Sequence, residues 1–364
     1  MVGGPPDLLT LASELVDIDS PSGEEAELVA LLASRLAGRP GLELTQVGDN
    51  LVARTSLGRA QRLVLAGHTD TVPANGNAGA SVAGDRLSGL GASDMKGGLA
   101  ILLALATTVD APAVDLTFVF YAREEVAAAR SGLVELISTR PELLVGDAAI
   151  VGEPTSAGIE AGCQGTLRMR VTLAGERAHP ARPWMGRNAV HRSAPLVAAV
   201  ADAELRQPLI EGCQFREAMQ VVTIEGGVAG NVVPDRVEVT INHRFAPDRS
   251  ADQAVDFVHQ VIDPWLEDAD LVEVVDVAPG AMPATTQPLI ATLVERNHLG
   301  VSAKLGWTDV ARFAELGVPA VNFGPGDSAL AHTAGEFVTR QDLDSVFRAL
   351  DDLVRRGVDD PTAP

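Results

Sequence analysis

The chain has only two cysteines, Cys163 and Cys213, in 364 residues, too few for a disulfide framework or a cysteine-rich zinc module. It is also short of positive charge. Lys and Arg number 28 against 49 Asp and Glu, for a formal net charge of −21. Phosphate backbones and anionic membranes need a basic face, so nucleic acid and lipid surfaces are disfavoured as partners. Long apolar runs are missing too: "LAILLALATTV" is well short of the ~20 residues that span a bilayer. The opening "MVGGPPDLLTLASELVD" has no basic stretch leading into an apolar core. It reads as an amphipathic helix, and a cytoplasmic location is the expectation.

What the chain does have is core material. Its length exceeds what one hydrophobic core supports, and 46% of it is hydrophobic against 21% charged, so two domains are expected. Helical periodicity covers residues 7–17 and 23–37, the second helix opened by Ser22 and Glu25 at capping-box spacing. Strand-like runs follow at 42–47, 50–56 and 62–67. Then "SDMKGGLAILLALATTV" reads as a turn and a buried helix. A strand at "LTFVFYA", a short helix near 131–137 and a strand at "DAAIVGEP" argue for an open α/β sheet flanked by helices. Beyond about residue 165 the style changes. "TLRMRVTLAG" and "VEVTINHRF" alternate like half-exposed strands, and 188–205 and 251–262 read as helices, which suits a small α+β domain. From about 280 the first style returns, with a helix at "LIATLVERN", a strand at "PAVNFG" and a last helix over 340–356. The expected organisation is an α/β domain, residues 1–167 and 279–364, interrupted by an insert over 168–278.

"LVLAGHTDTVP" ends an apolar strand on His68 and Asp70. Residues two apart in an extended chain face one side, so the Asp70 carboxylate can accept a hydrogen bond from the imidazole, which is how metal-ligating histidines are held in one tautomer. Other polar residues follow other strands: Asp94 in "GASDMKGG", Glu124 and Glu125 after "LTFVFYAR", Glu153 after "AAIVG", His332 after "PAVNFG". In open α/β sheets the ligand crevice lies outside the carboxyl ends of the strands, where such residues can converge. Singly, each has a plain structural explanation as a cap, a solvated acidic face or a strand end. Together, two histidines and several carboxylates without thiolates suit divalent cations such as zinc. His68, Asp94, Glu125, Glu153 and His332 make five ligands, and one bridging carboxylate would give each of two ions three. Another carboxylate must stay off the metal to move protons. The pair Glu124–Glu125 can divide these tasks, and spacing alone leaves open which does which.

"GHTDTVP", "GASDMKGG", "YAREEV", "GEP" and the late histidine resemble, in order and spacing, the co-catalytic di-zinc aminoacylase and carboxypeptidase family across nearly the whole chain. Within it, "GCQGTLRMRV" and "GWTDVARFAELGVPAVNFGPGDSALAH" are most similar to succinyl-diaminopimelate desuccinylases of the high-GC Gram-positive type, enzymes of lysine and diaminopimelate biosynthesis. The resemblance implies a zinc-peptidase-like catalytic domain, a ferredoxin-like dimerisation insert, two Zn2+ (with Co2+ able to substitute) and a homodimer acting on a small N-acyl amino acid. It implies that Asp94 bridges the ions, that His68 and Glu153 complete one site and Glu125 and His332 the other. Asp70 would orient His68, and Glu124 would be the general base. From "GERAHPARPWMGRNAV" it implies that His179 crosses the dimer interface to stabilise an oxyanion. Asn231 and Arg244 match substrate-facing positions, an arginine being suited to carboxylates. The main-chain N–H groups of "GPG" from Gly324 onward are expected to assist.

The implied reaction is hydrolysis of N-succinyl-LL-2,6-diaminopimelate. N-acetylornithine deacetylase, another N-acyl amino acid hydrolase or a dipeptidase shares the chemistry and stays open. So does a non-catalytic zinc-binding homologue, although neither a ligand nor Glu124 is missing. Some desuccinylases carry an arginine pair where this chain has Cys163–Gln164, so carboxylate recognition must differ in detail. His191, His243, His259 and His298 match no ligand position.

Overall fold

The structure, a computed structural model, describes residues 7–127 and 130–358. It divides into two compact units. The first comprises Met1–Ala161, Pro283–Ser302 and Arg312–Pro364, and the second Gly162–Met282 and Ala303–Ala311. Residues 303–311 are tied into the second unit by hydrogen bonds: the Trp307 indole N–H donates to Pro279 O at 3.1 Å, the Gln164 N–H to Lys304 O at 3.2 Å, and Cys163 Sγ to Thr308 O at 3.7 Å.

The first unit is built on an eight-stranded sheet. Its order is Leu42–Val47, Asn50–Thr55, Asp115–Tyr121, Arg62–His68, Ala148–Val151, Ala320–Asn322, Ile159–Ala161, Val301–Ala303. The four central strands, from Asp115–Tyr121 to Ala320–Asn322, run parallel. They are apolar along their length because both faces are covered, the usual condition of parallel strands. The mixed sheet flanked by helices is the expected fold class. Helix Gly97–Thr108 is buried in ten of its twelve residues, as its unbroken apolar run requires. Helix Arg340–Arg356 buries Leu343, Val346, Phe347, Leu350, Leu353 and Val354, a single stripe at helical spacing.

Two local features differ from expectation. Ser22 and Glu25 do not form a capping box: helix Ala26–Leu36 starts without a side-chain cap. The Ser22 hydroxyl donates instead to Asp70, and Glu25 accepts from Arg123 as well as from nearby Gly23. The second difference is a small sheet of Ser81–Ala83, Arg86–Ser88 and Phe337–Thr339, whose three-residue strands are too short to show a periodicity.

The second unit is a β-α-β-β-α-β arrangement with an antiparallel sheet ordered Ala218–Gly226, Arg236–Phe245, Gly165–Ala174, Leu271–Ala278. Leu167, Met169, Val171, Leu173, Val237, Val239 and Ile241 form its inner face, packed on Leu196 and Val200 of helix Ala189–Ala201 and on Val258 and Ile262 of helix Ala251–Ile262. The latter helix does carry a capping box, between Ser250 and Gln253.

Candidate active site

The carboxyl ends of the central parallel strands lie level. His68 pairs with Tyr121, Ala66 with Val151 and Asn322 with Val151. His68 ends its own strand, Glu124 and Glu125 follow Tyr121, Glu153 follows Val151, and the loop beyond Asn322 leads to His332. Asp94 comes from the irregular turn before helix Gly97–Thr108. That turn can sit against the strand ends because Gly98 has no side chain: a Cβ there would stand 2.4 Å from Gly152 O.

These residues form overlapping clusters. His68, Asp94 and Glu153 offer ligand atoms within 4.8 Å of one another, as do Asp94, Glu125 and His332, and also His68, Glu124 and Glu125. Asp94 is shared by the first two. Its Oδ1 lies 3.0 Å from His68 Nε2 and its Oδ2 3.6 Å from His332 Nε2. Glu125 Oε1 is 2.8 Å from His332 Nε2, and Glu153 Oε1 is 3.9 Å from His68 Nε2. His68 is 1% exposed, whereas the His332 side chain is 51% exposed, so the cluster opens to solvent on the His332 side.

The electrostatics suit a cation. His68 Nδ1 lies 3.0 Å from Asp70 O. A carbonyl can only accept, so Nδ1 carries a proton, and Nε2 is the nitrogen that faces the Asp94 carboxylate and the cluster. Burial opposes charge on His68, yet Asp70 and Asp94 outweigh it and hold the imidazole well above its ordinary value. Burial and the charge of Asp94 raise Glu125 against the pull of His68 and His332. Burial also opposes charge on His332, and Glu125 and Asp94 raise it nonetheless. Three carboxylates and two imidazole nitrogens aimed at one small volume, without a thiolate, fit one or two hard-to-borderline divalent cations.

Asp70 has more partners than the imidazole. Its carboxylate is 3.5 Å from His68 Nδ1, farther than its own carbonyl, and it accepts hydrogen bonds from the Ser22 hydroxyl at 2.6 Å and from the N–H groups of Glu124 and Glu125 at 2.9 and 3.0 Å. Glu25, fully buried, accepts from the N–H of Gly23 and of Arg123 at 2.8 and 3.1 Å. Arg123 precedes the glutamate pair in the left-handed region, with φ 60°, and His332 has φ 62°. Such conformations in non-glycine residues gather at functional sites. Glu336, buried and bound to main-chain N–H groups beside Asp94, was not singled out from the sequence, and Glu25 was read there only as half of a capping box. The signal was present in "HTAGE", where an acid follows the late histidine at short range.

Gly324 is buried against Gly152 and Glu153, whose main-chain oxygens leave no room for a Cβ. Its N–H donates to Thr155 Oγ1 at 3.1 Å, so this amide already has a partner within the chain.

The remaining expected residues lie in the second unit. His179 is exposed; its Nδ1 accepts the Ala181 N–H at 3.1 Å, which places the ring proton on Nε2. Asn231 is exposed in the loop between Ala218–Gly226 and Arg236–Phe245. The Val233 N–H donates to Ala178 O at 2.9 Å, joining the Asn231 loop to the His179 loop. Arg244 is half-buried at the far end of Arg236–Phe245, its guanidinium depressed by burial and by nearby Arg168. Of the other histidines, His243 is buried with Nδ1 3.0 Å from Ala218 O, His259 pairs with Asp263 at 2.8 Å, and His298 caps a helix.

Residues 64–356 match the family described as Peptidase family M20/M25/M40. A putative succinyl-diaminopimelate desuccinylase of Mycobacterium tuberculosis is 46% identical over 352 residues, covering 96% of this chain and 97% of its own. The succinyl-diaminopimelate desuccinylase of Corynebacterium glutamicum is 42% identical over 339 residues, 91% of each. Among solved structures, aminopeptidase PepT from Bacillus cereus has a TM-score of 0.79 at 20% identity, covering 98% of this chain and 99% of that one. The Bacillus subtilis YXEP protein, described as a dinuclear metal-binding peptidase, has a TM-score of 0.66 at 15% identity, covering 95% of this chain and 96% of that one. At these identities the likeness is one of fold. Among the described residues no helix is long and apolar enough to cross a membrane.

Proposed function

The chain belongs to peptidase family M20/M25/M40, and from that membership we propose that it is a metal-dependent amidohydrolase cleaving N-succinyl-LL-2,6-diaminopimelate to succinate and LL-2,6-diaminopimelate. The substrate follows the names of relatives 42–46% identical over more than nine-tenths of the chain. The observation that carries the chemistry is the Asp94 carboxylate lying between His68 and His332.

In this reading His68, Asp94 and Glu153 hold one cation and Asp94, Glu125 and His332 another, zinc being the metal this donor set favours. When bound, the pair supplies Lewis-acid charge for the amide carbonyl and makes water acidic enough to attack near neutral pH. Glu124 takes the proton from the attacking water. As the C–N bond breaks, it gives that proton to the departing amine nitrogen. Asp70 fixes Glu124 by its main-chain N–H and so aims its carboxylate. His179, with its proton on Nε2, is a ready donor to the oxyanion, the kind of preorganised hydrogen bond that contributes most to such reactions. Arg244 takes a substrate carboxylate as a bidentate partner, and Asn231 adds a polar contact. A cytoplasmic location goes with a biosynthetic intermediate as substrate.

His179 and Asn231 belong to loops at one end of the antiparallel sheet and Arg244 to the other. Arg236 pairs with Ala174 at the end of the sheet nearest the His179 and Asn231 loops, while Arg244 pairs with Thr166 at the other. From Arg236 to Arg244 the strand covers roughly 26 Å at ~3.3 Å per residue, longer than a small N-acyl amino acid. That separation supports a homodimer in which two copies contribute to each site.

The test is hydrolysis by zinc-loaded protein of N-succinyl-LL-2,6-diaminopimelate, N-acetylornithine and a dipeptide in parallel, with Glu124→Gln as control. Selective succinate release, lost in the variant, is the expected result. Cleavage of another substrate would keep the hydrolytic chemistry and overturn the substrate.

A further inference from the structure

The turn that carries Asp94 is irregular. Asp94 and Met95 have non-helical backbone angles just before helix Gly97–Thr108, so amides in this buried stretch need partners outside a helix. Glu336, 1% exposed, supplies them. Its Oε1 accepts the N–H groups of Ser93 and Asp94, each at 2.9 Å, and its Oε2 that of Gly91 at 3.1 Å. The main chain of Glu336 is anchored as well: its N–H donates to Thr333 O and its O accepts the Gly89 N–H, both at 3.3 Å.

We propose that Glu336 is the positioning residue for Asp94. One side chain, four residues beyond His332, grips the amide of the residue whose carboxylate lies between His68 and His332. It thereby sets the spacing of the two histidines across a shared acid. A neutral amide side chain could not do the same. Three donors meet two acceptor oxygens here, and a glutamine would set an NH2 group against one of the N–H groups. The proposal rests on the reading of this cluster as a metal site.

The experiment compares wild type, Glu336→Gln and, as control, Asp115→Asn. Asp115 is a second buried carboxylate that accepts main-chain N–H groups, from Leu57 at 2.7 Å and Arg59 at 2.9 Å. It stands at the opposite end of the strand that Tyr121 terminates. Cobalt is titrated into each apo-protein, and both stoichiometry and visible absorption are recorded beside kcat and KM. Glu336→Gln is expected to weaken cobalt binding by about 10- to 100-fold, as loss of a ligand-orienting partner does, to alter the cobalt absorption bands, and to lower kcat more than KM changes. Asp115→Asn is expected to lose thermal stability while keeping affinity and spectrum. If Glu336→Gln does not fold, Glu336→Asp carries the same expectation, since its shorter arm keeps the charge but cannot reach all three amides. Wild-type affinity and spectrum in the folded variant would overturn the positioning role alone. A wild-type chain that takes up no cobalt would overturn the metal-site reading beneath it.

Discussion

The two units of the chain deploy polar residues in opposite ways. In the first, residues spread from His68 to His332 converge at the ends of parallel strands, and buried carboxylates hold their main chain: Asp70 the amides of Glu124 and Glu125, Glu25 that of Arg123, Glu336 those of Gly91, Ser93 and Asp94. In the second, His179 and Asn231 are exposed at one end of an antiparallel sheet and Arg244 is half-buried at the other. One unit is a finished constellation. The other carries its candidate residues at opposite ends of one sheet, and that contrast is the ground for proposing that a second copy of the chain contributes to each site.

The largest effect is expected where the first unit converges. Asp94→Asn should weaken both cation positions and lower kcat/KM by roughly a thousandfold or more, with metal content by elemental analysis falling in parallel. Retained stoichiometry and activity would show that the shared carboxylate is not central. Next comes His179→Ala, expected to cut kcat by about 10²- to 10³-fold, the usual loss of one oxyanion donor, with metal content and KM little changed. A change confined to KM would reassign His179 to ground-state binding. Arg244→Ala should follow, raising KM by about 10- to 100-fold, the scale of a charge-assisted hydrogen bond. An equal loss against a substrate lacking the succinyl carboxylate would show that the arginine reads another group.

The smallest effect is expected in acid. Against burial, which alone would raise them, Arg192 holds Asp270 and Arg206 holds Glu217 below their ordinary values. Carboxyls depressed on folding stabilise above their unfolded pKa values of about 3.9 and 4.3, and that stability is lost as pH falls through the lower folded values. The second unit should therefore lose thermal stability as pH drops below about 4. Asp270→Asn should start lower at pH 7 and fall less steeply, which melting curves across pH would show.

The sequence made much of the first unit legible. Unbroken apolar strands ending on His68, Glu124–Glu125 and Glu153 mark a parallel sheet and its ligand crevice at once, and helices 251–262 and 340–356 follow directly from periodicity. Of the buried acids that hold main-chain amides, Glu336 alone left a local signal, in "HTAGE". Ser22 and Glu25 have capping-box spacing, yet their partners Asp70 and Arg123 are distant in sequence, and local spacing carries no record of such contacts. Edge strands Ala218–Gly226 and Leu271–Ala278 were not located because most of their residues are exposed or half-buried, which leaves no alternation to read. The distance between His179 and Arg244 became visible only once the register of Gly165–Ala174 against Arg236–Phe245 was known.

The composite site is tested most directly by mixing two inactive chains. Glu124→Gln and His179→Ala are each purified, combined, dissociated and reassociated, and assayed on N-succinyl-LL-2,6-diaminopimelate. In a mixed dimer one site would join an intact Glu124 from one copy to an intact His179 from the other, so random reassociation is expected to restore about a quarter of wild-type activity. Mixtures that stay as inactive as the separate variants, although shown to form mixed dimers, would contradict the account.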